Sequence, residues 1–224
     1  MRCLVKVWDW LIRRRLPVPV APVRLRLSGA YLEGARYQPS PNRGEPFNSP
    51  PHLIVMHYTS GASLQSSADF LCDENTRASA HVVIGRDGDI VQLVPLDQAA
   101  WHADPAYWDG YCMVNRHSIG VELDNVGELQ IEDGQARTWW GRRVAWDDAV
   151  YRTHQYSEIG SWWQTFTPEQ MTKMGELCRL LMGLHPIREI VGHDDVAPTR
   201  KRDPGPAFPM ADLRARLGLQ KGVA

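Results

Sequence analysis

The sequence predicts an α/β fold, with a mixed central β-sheet flanked by helices, and three observations carry that prediction. In HLIVMHYTSG, Leu53 to Met56 form an apolar run without helical length, bounded by prolines before and Ser-Gly after, as a central strand requires. In HVVIGRDGDIVQLVP, Asp87-Gly88 sits between two β-rich runs, a strong hairpin signal. In TPEQMTKMGELCRLLMGLH, Thr167 can cap a helix, Pro168 occupies its first position and Gln170 completes a capping box. Met171, Met174, Leu177 and Leu181 then recur at helical spacing and form its core face.

The remaining elements follow in order. Ser63 to about Asp73 reads as a helix capped by Ser63, with Leu64, Ala68 and Leu71 on one face. HSIGVELDN is a strand in which Ile119, Val121 and Leu123 alternate with Ser118, Gly120, Glu122 and Asp124. Residues 126–166 hold a second turn at Asp133-Gly134 and the cluster Trp139, Trp140, Trp146, Trp162 and Trp163, read as an inserted β-hairpin and loop. REIVGH is a last short strand and MADLRARLGL a closing helix.

With 224 residues, 43% of them hydrophobic, the chain can bury one sizeable core. The expected organisation is a basic N-terminal extension (1–48), one main domain (49–217) carrying the Trp-rich insertion (about 126–166), and a short tail (218–224). A formal net charge of −1 argues against a general nucleic-acid binder. That average hides an asymmetry, because residues 1–30 carry seven basic groups against the single acid Asp9. The opening MRCLVKVWDWLIRRRLPVPVAPV is no signal peptide: Lys6 and Asp9 interrupt the apolar stretch, and no small-residue cleavage site follows Arg13 to Arg15. Peripheral membrane contact through a short amphipathic helix is one reading of it, and a helix or arm packed on the main domain is the other. Cys3, Cys72, Cys112 and Cys178 form no C-x-x-C pair, so free thiols in a reducing cytoplasm are the simplest account.

Two predicted strands end in a histidine, His57 and His193, and reactive groups gather where the strands of open α/β sheets end. Asp203 follows His193 by ten residues across the proline-broken, charge-dense stretch VGHDDVAPTRKRDPGPAF. Two imidazoles and one carboxylate make the open three-ligand zinc set of hydrolases, with the fourth position left for water. One bound zinc ion is therefore expected.

At this point the chain resembles the zinc-dependent N-acetylmuramoyl-L-alanine amidases of the AmpD and AmiD kind, which share a fold with peptidoglycan recognition proteins. The resemblance rests on five ordered motifs: MHYTSG, SAHVVIGRDGDIVQLVP, AWHAD, SIGVELDN and VGHDDVAPTRKRDPGPAF. It covers roughly residues 50–125 and 167–217 and leaves the first 48 residues and the insertion without a counterpart. It implies zinc on His57, His193 and Asp203, with catalytic Glu122 and Lys201. Chemistry supports these roles: Glu122 can take a proton from the attacking water and pass it to the departing amine, and Lys201 can stabilise the oxyanion. Trp101, His102, Thr59, His81 and Arg200 are expected to contact substrate.

The implied reaction is hydrolysis of the amide between the lactyl group of N-acetylmuramic acid and L-alanine, in peptidoglycan or soluble anhydro-muropeptides. A non-catalytic peptidoglycan-binding module and a zinc peptidase cutting within the stem peptide are the alternatives. A monomer is expected, acting in the cytoplasm or released to the envelope in the manner of an endolysin.

Overall fold

The computed structural model describes residues 25–219. Its centre is a six-stranded sheet built from β1 (Arg36–Tyr37), β2 (Leu53–Tyr58), β3 (Val82–Ile84), β4 (Ile90–Gln92) and β5 (Ser118–Leu123), completed late in the chain. The Trp-rich insertion supplies β6 (Glu128–Glu132), β7 (Gln135–Arg137), β8 (Ala149–Thr153) and β9 (Gly160–Gln164) before β10 (Glu189–Gly192) returns to the centre. The central order is β10-β2-β5-β3-β4-β1. Every neighbouring pair is parallel except the β3–β4 hairpin, whose turn is the predicted Asp87-Gly88 with Gly88 at positive φ.

Among the described residues, four α-helices accompany the sheets: α1 (Leu64–Cys72), α2 (Pro168–Leu184), α3 (His193–Val196) and α4 (Met210–Leu217). Both predicted caps form, since Ser63 and Thr167 each close a capping box. Gln170 does more than cap. Fully buried, it donates from Nε2 to the carbonyls of Asp124 (2.9 Å) and Ile84 (3.3 Å), so the start of α2 is tied to the ends of β3 and β5.

One face of the sheet packs Ile54, Met56, Ile119, Val121 and Leu123 against Met174, Leu177 and Leu181 of α2. The opposite face is also covered, by α1 on Val83 and Val91 and by Trp108, Val114 and Val196 on Leu53, Val55 and Val191. The alternation predicted for β5 holds, but its second face is not open to water. Ser118 and Gly120 are buried beside the apolar residues, as befits a central parallel strand.

Two expectations are corrected here. The insertion is a four-stranded antiparallel sheet, ordered β7-β6-β9-β8, rather than one hairpin and a loop. Its first turn is the predicted Asp133-Gly134, with both residues at positive φ. The N-terminal extension does not stand apart up to residue 48: β1 adds to the central sheet beside β4, and Leu25, Leu27, Leu32 and Phe47 pack on the main core. The basic residues of 1–24, and the membrane contact read from them, lie outside the described residues, as does Cys3. Cys72, Cys112 and Cys178 are free thiols. No helix among the described residues is long and apolar enough to cross a membrane.

Leu177 is fully buried under the sheet, whereas Leu184 at the end of the same helix is 46% exposed. Leu177→Ala is expected to lower stability by about 2–5 kcal/mol, and Leu184→Ala by less than about 0.5 kcal/mol. Urea denaturation of both variants checks the difference.

Candidate active site

The register of three parallel strands assembles the site. Glu122 of β5 is paired directly with His57 of β2, so their side chains leave the same face of adjacent strands. Gly192 of β10 is paired with Met56, so the next residue, His193, emerges level with His57 on the other side. Three groups from three distant parts of the chain thus meet at one end of the sheet.

The loop after α3 closes the set. Asp194 N–H donates to the Asp203 carbonyl (2.8 Å), drawing the return path back onto β10. Asp203 Oδ2 then lies 2.9 Å from His57 Nδ1 and 3.0 Å from His193 Nδ1, while the two ring nitrogens are 2.9 Å apart. Hydrogen bonds cannot satisfy all three edges of this triangle, because a proton on a ring nitrogen serves one neighbour and two such protons would face each other. A cation receiving three lone pairs satisfies it. The edges are a few tenths of an ångström below the about 3.3 Å expected of a tetrahedron with ligand bonds of about 2.0 Å. His57, His193 and Asp203 therefore form a group that could hold a metal ion, in geometry as well as in residue type, and all three are buried.

Electrostatics prepare two of these groups. Burial, reinforced by His193, lowers the His57 pKa to about 4 despite Asp203, so its ring is neutral and can donate a lone pair. Burial alone would raise Asp203, but the two imidazoles beside it outweigh that and hold the carboxyl below its ordinary range. Glu122 responds in the opposite way. The residue keeps some exposure, yet its Oε2 is enclosed without a hydrogen-bond partner among the described residues. Burial and then Asp203 push its pKa up to about 8, with Lys201 opposing them. Lys201 also lowers His57, so its ammonium field reaches both groups.

The insertion braces this loop from outside. His154 Nε2 lies 3.1 Å from Asp194 Oδ2 and donates to the Arg202 carbonyl at 3.2 Å. Arg202 also pairs with Glu128 (3.2 Å) and lies over the ring of the fully buried Trp163. A Cβ at Gly205 would press into that indole, so the loop can approach it only with glycine there. Neither His154 nor Trp163 had an assigned role in the sequence, because nothing local links residue 154 to residue 202.

A family model described as N-acetylmuramoyl-L-alanine amidase matches residues 47–206, which contain all five of these site residues. The chain belongs to the N-acetylmuramoyl-L-alanine amidase family. It is 31% identical over 214 residues to the 1,6-anhydro-N-acetylmuramyl-L-alanine amidase AmpD of Escherichia coli (strain K12), covering 87% of this chain and 98% of AmpD. It is 30% identical over 177 residues to the N-acetylmuramoyl-L-alanine amidase AmiD of the same organism, covering 75% of this chain and 53% of AmiD. Among solved structures, a selenomethionine AmpD derivative superposes with a TM-score of 0.61 at 28% identity, over 85% of this chain and 98% of that one. E. coli AmiD in complex with the substrate anhydro-N-acetylmuramic acid-L-Ala-D-gamma-Glu-L-Lys superposes with a TM-score of 0.58 at 27% identity, over 88% and 66% of the two chains.

The residues expected to contact substrate in this amidase divide. Trp101 is 39% exposed and lines a cleft of about 530 Å³ with Phe47, Met113 and His117, so it remains open to a ligand. His81 is fully buried: its Nδ1 accepts from Gly120 N–H (3.0 Å) and its Nε2 donates to the Gln98 carbonyl (2.8 Å). His102 is buried too and lies behind His57 with both ring nitrogens engaged. Arg200 spends its Nη2 on the carbonyls of Ala103 and Pro105 (both 2.8 Å) and acts as a strap. Thr59 Oγ1 accepts from Gly61 N–H (3.2 Å) and Asn125 N–H (3.4 Å), tying two strand ends together.

The raised Glu122 pKa has a measurable consequence for the metal-free protein. Between the ordinary value of 4.5 and about 8 the unfolded chain has lost this proton while the fold retains it, so wild-type stability falls across that window. Glu122→Gln lacks the titration. Metal-free Glu122→Gln is expected to gain stability over wild type as pH rises from 4.5 to 8, measured by urea denaturation at both ends of the range.

Proposed function

We propose that this chain is a zinc-dependent amidase that hydrolyses the bond between the lactyl group of N-acetylmuramic acid and L-alanine, acting on soluble anhydro-muropeptides in the cytoplasm. The observation that carries this reading is the convergence of His57 Nδ1, His193 Nδ1 and Asp203 Oδ2 beside the enclosed carboxyl of Glu122. Near full-length similarity to AmpD, against half-length similarity to AmiD, supports the small anhydro-muropeptide as substrate.

His57, His193 and Asp203 would hold the ion, with two neutral donors and one anion leaving a net positive site for a divalent metal. Zinc supplies Lewis-acid polarisation of the amide carbonyl and acidification of water when bound there. The chain supplies the rest. Glu122 accepts a proton from the attacking water and returns it to the departing amine of L-alanine, and its enclosed oxygen is free for that proton. Its pKa of about 8 in the metal-free chain falls when a cation is close, towards the range in which one group serves as base and then acid near neutrality. Lys201, whose charge is already felt at Glu122, offsets the negative charge that builds on the carbonyl oxygen. Trp101 offers an exposed indole for the sugar or peptide beside the site.

Incubating the zinc-loaded protein with anhydro-muropeptide should release free stem peptide, detected by mass spectrometry. Cleavage within the peptide, or intact substrate after long incubation, would sink the proposal. Glu122→Ala should retain zinc while turnover drops by roughly 10²–10⁴-fold. His57→Ala should lose the metal itself.

A further inference from the structure

Behind the ligand triangle runs a chain of hydrogen bonds that the proposed reaction does not use. His57 Nε2 lies 3.1 Å from His102 Nδ1, and His102 Nε2 lies 3.1 Å from Ser118 Oγ. Ser118 Oγ lies 2.6 Å from the carbonyl of Val114. All three side chains are buried. A carbonyl only accepts, so the short contact takes the hydroxyl proton of Ser118. Ser118 Oγ is then left to accept, which requires the proton of His102 on Nε2. The lone pair of His102 is consequently on Nδ1, where it accepts the Nε2 proton of His57. With its single proton on Nε2, His57 turns a bare Nδ1 towards His193 and Asp203.

We propose that His102 is a positioning residue for the metal site: anchored by Ser118 and the Val114 carbonyl, it sets the tautomer and ring orientation of His57 so that Nδ1 is presented as a ligand. This rests on the reading of His57, His193 and Asp203 as a zinc site. Oriented outer partners of ligating histidines are a general requirement of such sites, and here the outer partner is a second imidazole rather than a carboxylate or a backbone carbonyl.

The surrounding structure is built to hold that ring. His102 N–H and Ala103 N–H both donate to Asn115 Oδ1 (3.1 and 2.8 Å), fixing the backbone that carries it. The His57 and His102 rings meet edge-on, with centroids 5.3 Å apart and planes at 85°. Gly120 lies on the same face of β5 as Ser118 and Glu122, and any Cβ there would collide with the His102 ring. The small-polar pattern Ser118-x-Gly120-x-Glu122 is thus an anchor, a recess and the proton carrier on one strand face. His193 has no comparable support, since its Nε2 is enclosed without a partner among the described residues. The competing arrangement runs every bond the other way, with the His57 proton on Nδ1 and directed at Asp203, and it forfeits the 2.6 Å bond from Ser118 to Val114.

Leu and Asn are close in shape, and only Asn keeps an acceptor near the place of His102 Nδ1, so the two variants separate positioning from packing. Zinc affinity, measured by chelator competition, should fall roughly 10–100-fold in His102→Leu and stay close to wild type in His102→Asn. Long-range ¹H–¹⁵N correlation on the zinc-loaded wild type should find His57 and His102 both protonated at Nε2. Ser118→Ala, which removes the anchor and leaves the imidazole, should give His102 a mixed tautomer population even if the Leu variant fails to fold. Equal zinc affinity in wild type and His102→Leu, or a proton on His102 Nδ1 in the wild type, overturns the inference and leaves the zinc site intact. Failure of the wild type to bind zinc overturns the site reading itself.

Discussion

The pairing of β2 with β5 and β10 is the constraint on which the rest depends. One register places Glu122 opposite His57 and brings His193 out beside it. A shift by a single residue would turn His57 into the face that packs under α2, because side chains alternate along a strand. The register is held by burial on both faces, with Ile54, Met56, Ile119 and Val121 on one side and Leu53, Val55 and Val191 on the other. The hydrophobic core therefore sets the catalytic geometry as well as the stability of the fold.

Burial also decides the charge state of each group. It removes charge from His57 and Glu122, and it would do the same to Asp203 were that carboxyl not beside both imidazoles. The outcome is a neutral imidazole and an anion beside a point that a cation can occupy, with a neutral carboxyl on the neighbouring strand. An enclosed Glu122 oxygen without a partner among the described residues is costly in a structural residue and useful in a group that must take up and give back a proton.

The insertion ties its own sheet to this centre. Through His154, Glu128 and Trp163 it grips Asp194 and Arg202, two residues of the stretch that delivers Lys201 and Asp203. The insertion is thereby joined to the most charge-dense stretch of the chain. The charges of VGHDDVAPTRKRDPGPAF find their partners this way: Asp195 caps the start of α3 through Gly192 N–H, Arg200 straps Ala103 and Pro105, and Arg202 docks on the insertion.

The sequence by itself determined the elements and the ligand types. Ser63, Thr167, Pro168 and Gln170 specify where helices begin, Asp87-Gly88 and Asp133-Gly134 specify turns, and the apolar run before His57 specifies a strand that must deliver it to an edge of the core. These are local effects, set by residues a few positions apart. Tertiary structure alone decided that His81 and His102 are interior groups with both ring nitrogens engaged, that residues 36 and 37 belong to the central sheet, and that the insertion is a four-stranded unit. Each depends on what stands across the fold. An imidazole on an exposed wall and one enclosed behind a ligand have the same neighbours in sequence, and only packing decides which of its nitrogens is left for a ligand.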